Sequence, residues 1–159
     1  MIREADLMSL TYLAHNMRPR DKQELSETRD MVDPSDIAID AYRSQWAAVA
    51  SGSDFQPCLA VGAKVAHSGT VTVWGFGTNQ YRRGIVEMTK HCRDVMIPAI
   101  ISKGFHRAQC LVHPENVGSQ NWLQKLGFYS EATLRGFGSS RQDMLLFAWV
   151  LDEPTRDLD

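Results

Sequence analysis

Two strand-like segments are separated by one long helical pattern, and this spacing restricts the fold more than any other feature of the chain. Thr70 to Gly77 alternates in the manner of a strand, and the segment from Phe105 to Val112 is again strand-like. Between them, apolar residues recur at helical spacing over residues 82–103, and Gly104 is suited to end that helix. Two strands joined by a crossover helix pair in parallel. The chain is therefore predicted to be an α/β protein with a parallel pair inside a mixed sheet.

The N-terminal third predicts two helices and a connector. A first amphipathic helix is expected after Asp6, and Pro19 ends or kinks it. Arg18 to Pro34 is rich in charge and poor in apolar residues, which predicts a solvated connector with room for one further helical turn. A second helix is expected from a cap at Ser35, with an apolar face formed by Ile39, Tyr42, Trp46 and Val49.

The rest of the chain shows strand patterns and one short helical pattern. The further strands are predicted at Ile2–Glu4, Pro57–Ala66, Tyr129–Phe137 and Asp143–Leu151. The short helix is predicted at Val117–Leu126. We expect a single domain over residues 1–152, followed by an acidic tail over residues 153–159.

The charge balance argues against nucleic acid as a class of partner. The 17 Lys and Arg residues are matched by 19 Asp and Glu residues, a net charge of −2, so the chain carries no basic field. No apolar run approaches the roughly 20 residues of a membrane span, and the chain begins with acidic residues where a signal peptide is basic. Its three cysteines lie far apart without zinc-site spacing. We therefore expect a cytoplasmic protein with no metal site and no nucleic-acid or membrane partner.

One stretch near the C-terminus carries a family resemblance. It reads HPENVGSQNWLQKLGF from His113 to Phe128, and EATLRG follows from Glu131 to Gly136. Asn116, Ser119 and the run from Lys125 to Phe128, together with the element order from about residue 57 onward, resemble the GNAT superfamily of acyl-CoA-dependent N-acyltransferases. The resemblance implies a mixed, mostly antiparallel sheet with a splayed central parallel pair and about four flanking helices, and acetyl-CoA as the cofactor.

A narrower resemblance is to GNAT-like proteins of tailed bacteriophages, some of which are described as internal virion or assembly proteins. It rests on residues 16–24, on residues 73–78, and on Trp122 and Leu123 ahead of the run from Lys125. It implies protein partners, either phage particle components or further copies of the chain, and a location in the host cytoplasm or in the virion.

The GNAT resemblance also implies which residues bind the cofactor. Backbone N–H groups of the splayed strand would polarise the thioester carbonyl, and the start of the long helix would bind the pyrophosphate. Without the resemblance, Arg82 and Arg83 are a solvated helix start, and Asn116 and Ser119 cap the short helix. The implied cofactor-binding residues are Val73, Trp74, Gly75 and Phe76 on the strand, Arg82, Arg83 and Gly84 at the helix start, and Asn116 and Ser119 at the pantetheine.

An amine substrate must lose a proton before it can attack a thioester, so a general base is expected in the cleft. Glu87 lies four residues before His91 on the long helix, a spacing that more often produces an exposed contact. His113 follows the second central strand, near the expected splay. His113 and Glu87 are the two candidate catalytic residues, and the sequence leaves the choice between them open.

Two positions depart from the GNAT pattern. Val86 stands where the pattern has a small residue that lets the backbone approach phosphate, and Leu123 stands where many members have a tyrosine that protonates the leaving thiolate. These departures favour impaired or absent activity. Together with the narrower resemblance they indicate a GNAT-fold protein of bacteriophage type that acts in the virion or in its assembly. The alternative is an active acetyl-CoA-dependent N-acetyltransferase for a primary amine.

Overall fold

A seven-stranded sheet forms the centre of the computed structural model, which describes residues 1–30 and 33–152. The strand order is β1-β2-β3-β4-β5-β7-β6, and all neighbours are antiparallel except β4 and β5, which are parallel. This arrangement confirms the predicted fold class, whereas the predicted acidic tail at 153–159 lies outside the described residues. The strands are β1 (Ile2–Glu4), β2 (Trp46–Ser51), β3 (Pro57–His67), β4 (Thr70–Gly77), β5 (Arg107–Val112), β6 (Tyr129–Leu134) and β7 (Met144–Val150).

Helices cover both faces of the sheet, because each strand turns alternate side chains to opposite sides. On one face α1 (Leu7–His15) and α3 (Pro34–Tyr42) bury a first core. On the other face α4 (Ile85–His91), α5 (Ile97–Ser102) and α6 (Val117–Lys125) bury a second one. The first core includes Leu10, Leu13, Ile37, Val49, Ala60 and Phe76, and the second includes Val61, Val71, Met88, Met96, Ile100, Leu123 and Phe147.

The segment between Arg18 and Pro34 contains a full helix, so the prediction of a solvated connector was wrong. Helix α2 (Pro19–Thr28) has ten residues and begins with Pro19, where the missing N–H leaves no helical hydrogen bond unmade. The helix has little apolar surface, and polar contacts fix it instead: buried Asp21 accepts a hydrogen bond from the Gly77 N–H at 2.9 Å. Apolar periodicity cannot reveal a helix that is held in this way.

The second predicted helix was wrong in its C-terminal half. Helix α3 ends at Tyr42, and Trp46 and Val49 belong to strand β2. In that strand Val49 faces the first core while its neighbours Ala48 and Ala50 face the second, which is the two-residue period of a strand. The spacing of the larger apolar residues also suits a helix, so the sequence pattern indicated the wrong element. Asp33 rather than Ser35 is the N-cap, since its carboxylate accepts the Ser35 N–H at 2.8 Å.

The long crossover helix is confirmed, with one irregularity. After a 3₁₀ turn at Tyr81–Arg83 it runs through α4 and α5, and a π-helical turn at Cys92–Met96 joins the two segments. Pro98 cannot donate to a carbonyl one turn earlier, and the π turn directly before it changes the hydrogen-bond pattern there. Within residues 1–30 and 33–152, none of the helices combines the length and apolarity that crossing a membrane requires.

Candidate functional site

The two parallel strands separate after a short paired stretch. Strands β4 and β5 pair only from Thr70 with Arg107 to Thr72 with Gln109. Beyond these pairs, β4 stays hydrogen-bonded to β3 and β5 to β7, so the two strands diverge and leave a gap in the middle of the sheet. A cavity of about 730 Å³ opens at this gap, and residues of β4, β5, α2, α5 and α6 line it.

The edge of β4 that faces the gap presents a backbone donor. Thr78 donates its N–H to the carbonyl of Cys58, which fixes the alternation of hydrogen bonds between β4 and β3. The same alternation turns the Gly75 N–H away from β3 and towards the side where β5 has diverged. Gly75 is exposed to the cavity and has no side chain to cover that N–H. A carbonyl oxygen lying in the gap could accept this hydrogen bond.

The residues predicted from the sequence to bind a cofactor divide into two groups. One group lines the cavity, on β4, at the start of the long helix and on α6. The other group does not line the cavity. The wall contains Val73, Trp74, Gly75, Phe76, Arg82 and Ser119, whereas Arg83, Gly84 and Asn116 do not line the cavity.

The two arginines before the long helix point in different directions. Arg82 lines the cavity, is exposed, and lies 5.9 Å from the centre of the Tyr81 ring. Arg83 instead forms an ion pair with Asp54, in the loop between β2 and β3, at 3.1 Å. Arg18 lies 4.5 Å from the centre of the same Tyr81 ring. The hydrogen bond from Arg82 and the charge of Arg18 lower the pKa of the Tyr81 phenol despite partial burial.

Gly84 is required for close packing of the helix on the sheet. A Cβ atom at this position would lie 2.6 Å from the Cβ of Ala50 and 2.9 Å from Sγ of Cys58. The missing side chain therefore lets the start of α4 contact strands β2 and β3. A substitution here would disturb packing as well as any ligand.

The two positions that depart from the GNAT pattern have different surroundings. The Val86 side chain is 63% exposed and does not line the cavity. Leu123, in contrast, is buried in the second core and contributes to the cavity wall. The cavity wall at position 123 therefore has no group that could donate a proton.

The structure does not bring the two predicted catalytic residues to the cavity wall. The His113 side chain is 2% exposed, and its Nδ1 atom accepts a hydrogen bond from the Glu115 N–H at 3.1 Å. Glu87 is exposed on α4, and its carboxylate lies 2.5 Å from the N-terminal ammonium of Met1. Neither His113 nor Glu87 lines the cavity, and their roles stay predictions.

Asn116 is the N-cap of α6. Its Oδ1 accepts the Ser119 N–H at 3.3 Å, the capping arrangement that the residue types indicate. Its Nδ2 donates to Glu24 of α2 at 3.0 Å, so the side chain also connects α6 with α2. Ser119, one turn into the helix, lines the cavity.

Sequence reasoning missed the contribution of α2. Arg18, Asp21 and Glu24 all line the cavity, although their segment was predicted to be a connector. The three-residue spacing of the two carboxylates, on one face of a helix, is the signal that could have drawn attention to them. Over residues 1–30 and 33–152, no cluster of three His, Cys, Asp or Glu side chains could hold a metal ion.

No family model matches the sequence, and a search of curated proteins gives no match either. The structure, however, is similar to solved acetyltransferases. A GNAT superfamily phosphinothricin acetyltransferase from Sinorhizobium meliloti, solved in complex with AcCoA, superposes with a TM-score of 0.74 at 13% identity, covering 99% of this chain and 91% of the other.

Two further solved acetyltransferases superpose on this chain with similar TM-scores. The ribosomal-protein-alanine N-acetyltransferase of Brucella melitensis gives a TM-score of 0.73 at 15% identity, with 95% of this chain and 99% of the other covered. A GNAT-family acetyltransferase from Bacillus anthracis gives 0.68 at 12% identity, with 96% and 95% covered. The splayed parallel pair, the strand order and these superpositions together lead to one conclusion: the chain has the fold of the GNAT acetyltransferases.

Proposed function

We propose that this protein binds acetyl-CoA in the gap between β4 and β5 and transfers the acetyl group to a primary amine. The observation that carries the proposal is the divergence of the two parallel strands after only three residue pairs. The resulting cavity crosses the sheet and has two walls, one formed by α5 and α6 and one by α2 and α3. Two reactants can therefore enter from opposite sides and meet at β4.

The residues at the gap fit a thioester carrier. The Gly75 N–H faces the gap and is suited to donate a hydrogen bond to the thioester carbonyl oxygen. This hydrogen bond strengthens as the oxygen gains negative charge during the reaction. The exposed guanidinium of Arg82 at the cavity mouth is suited to a phosphate group. When bound, acetyl-CoA supplies the activated acyl carbon. The S. meliloti acetyltransferase of the same fold was solved in complex with AcCoA, which supports acetyl-CoA as the ligand here.

A second candidate function keeps the scaffold without an efficient reaction. Leu123 on the cavity wall favours it, since a leucine cannot protonate a leaving thiolate. In this case the protein would act through protein contacts, and the narrower resemblance indicates a bacteriophage virion or assembly protein with particle components or further copies of the chain as partners. The two candidates differ in whether CoA thiol is released.

Thermal unfolding with acetyl-CoA tests the proposal. A ligand present at about 100 times its dissociation constant adds about 2.7 kcal/mol to the free energy of unfolding, and we expect the melting temperature to rise by about 5 to 10 °C. Adenosine 3′,5′-bisphosphate at the same concentration is the control for a general effect of phosphate groups and should give a smaller shift. An unchanged melting temperature with millimolar acetyl-CoA would contradict the proposal. Release of CoA thiol in the presence of an amine would then decide between the two candidates.

A further inference from the structure

Helix α2 bridges the open ends of the two diverging strands through two carboxylates. Asp21 accepts the N–H of Gly77, the last residue of β4, at 2.9 Å. Glu24, one turn later, accepts the N–H of His113, directly after β5, at 2.9 Å. The helix therefore lies across the gap, and both carboxylates lie on the cavity wall.

The two carboxylates differ in the ion pairs and hydrogen bonds that they already make. The carboxylate of Asp21 is neutralised by an ion pair with Arg18 at 2.9 Å. The hydrogen bonds of Glu24 to the His113 N–H and the Asn116 side chain both end on Oε2, and among the described residues no ion pair involves Glu24. Among the described residues no hydrogen bond ends on the second oxygen, Oε1, and since Glu24 lines the cavity, we expect this oxygen to reach a molecule bound there.

The surroundings of Glu24 suit a proton acceptor. Burial raises the pKa of its carboxyl group, although the two hydrogen bonds to Oε2 oppose the rise. The charged and titratable groups that interact with it are Asp21 and Arg18 from the region of α2, and His113 and Cys110 from the region of β5. A carboxylate with a raised pKa is a stronger base near neutral pH than an ordinary glutamate.

The wall beside Glu24 is apolar. Leu25 follows it on α2, Ile37 and Ala41 contribute from α3, and Phe76 contributes from β4. Such a surface stabilises an apolar group far more than a polar one. The other charged residues that this part of the chain contributes to the cavity are already paired: Asp21 with Arg18, and Arg29, directly after α2, with Asp40 at 2.8 Å.

We propose that Glu24 accepts the proton of the acceptor amine, and that the acceptor is a primary amine whose apolar body packs against Leu25, Ile37 and Phe76. This inference rests on the proposed function. The ammonium group loses one proton to Oε1 of Glu24, which later releases it to water. The neutral nitrogen forms a bond to the acyl carbon, the bond between that carbon and sulfur breaks, and the second proton of the nitrogen ends on the sulfur. The products are an acetamide and CoA thiol.

The test uses acetyl transfer from acetyl-CoA to 2-phenylethylamine, with ethanolamine as the polar comparison. The readouts are release of CoA thiol and the mass of the acetamide product. In the wild-type protein, we expect kcat/KM for 2-phenylethylamine to exceed that for ethanolamine by at least about tenfold. Glu24→Gln keeps a carbonyl oxygen for His113 and Asn116 but cannot take a proton, and we expect it to lower kcat/KM by at least about 100-fold.

The pH profile separates a base from a structural tether. In the wild-type protein kcat/KM should rise with pH as Glu24 loses its proton, and this rise should be missing in Glu24→Gln. Glu24→Asp, which keeps a carboxylate, should retain the rise at reduced activity. Glu27→Gln is the matched control, because Glu27 is on the same helix, its carboxylate hydrogen-bonds Ser140 and it does not line the cavity, so the change should leave activity unchanged.

Calorimetry with acetyl-CoA keeps the two proposals distinguishable. We expect the dissociation constant of acetyl-CoA to be the same in Glu24→Gln and wild type, within about twofold. Wild-type activity and pH profile in Glu24→Gln, or equal rates with the two amines, would overturn the inference. So would a wild-type protein that binds acetyl-CoA and acetylates neither amine, a result that leaves cofactor binding intact. A wild-type protein that does not bind acetyl-CoA would overturn the inference together with the proposed function.

Discussion

Replacing Gly75 with phenylalanine is expected to abolish acetyl-CoA binding while the protein stays folded. A Cβ at this position would lie 3.4 Å from the carbonyl oxygen of Ala60 and 3.5 Å from Cγ2 of Val61, both ordinary contact distances. The strand therefore accepts a side chain, and a glycine inside a strand contributes little to its stability. The aromatic ring would project into the cavity and cover the N–H that faces the gap. We expect the dissociation constant to rise at least about 100-fold, equivalent to about 2.7 kcal/mol, in a calorimetric titration.

A matched variant controls for the added ring. Val65 lies on β3, is partly exposed and does not line the cavity, so Val65→Phe adds an aromatic side chain to the same sheet away from the gap. It should bind acetyl-CoA with the wild-type dissociation constant. If Gly75→Phe binds as tightly as Val65→Phe, acetyl-CoA does not occupy the gap.

Replacing Asp21 with alanine is expected to destabilise the protein more than removal of any other single ion pair described above. The Asp21 side chain is 8% exposed and that of Arg18 is 19% exposed, so the substitution leaves a largely buried guanidinium without its partner. It also leaves the Gly77 N–H without an acceptor. Breaking a buried pair costs about 3 kcal/mol, and we expect the melting temperature to fall by about 6 to 12 °C.

Two further variants show which part of this loss is due to the ion pair. Asp21→Asn keeps an acceptor for the Gly77 N–H and removes the charge, so its free energy of unfolding should lie between those of wild type and Asp21→Ala. Asp54→Ala removes the exposed partner of Arg83 and should cost less than about 1 kcal/mol. Equal losses in Asp21→Ala and Asp54→Ala would show that α2 is not held by its buried carboxylate.

The central part of the fold could be predicted because its signals are local. The strand pattern at Thr70–Gly77, the helical spacing of residues 82–103 and the strand pattern before Val112 each depend on near neighbours in the chain. The handedness and length of the crossover then restrict the pairing to a parallel one. The gap itself could be predicted only from the resemblance, since no periodicity indicates where paired strands diverge.

The errors lie where distant contacts decide the structure. Helix α2 is held by two hydrogen bonds that its carboxylates accept. Asp21 accepts the N–H of Gly77, 56 residues away in the chain, and Glu24 accepts the N–H of His113, 89 residues away. Trp46 joins strand β2 because it can pair with Ala63 of β3, although its spacing from Tyr42 suits a helix equally well. These contacts exist only in the folded protein, and they also determine which carboxylate reaches the cavity.

The amide resonance of Gly75 tests the central claim most directly. In a titration of the ¹⁵N-labelled protein with acetyl-CoA, we expect this resonance to move and saturate, together with that of Ser119 on the opposite wall, because both residues line the gap. The amide of Gly104, at the far end of the long helix and outside the cavity wall, should stay in place. A Gly75 resonance that does not move at saturating acetyl-CoA would contradict binding between the diverging strands.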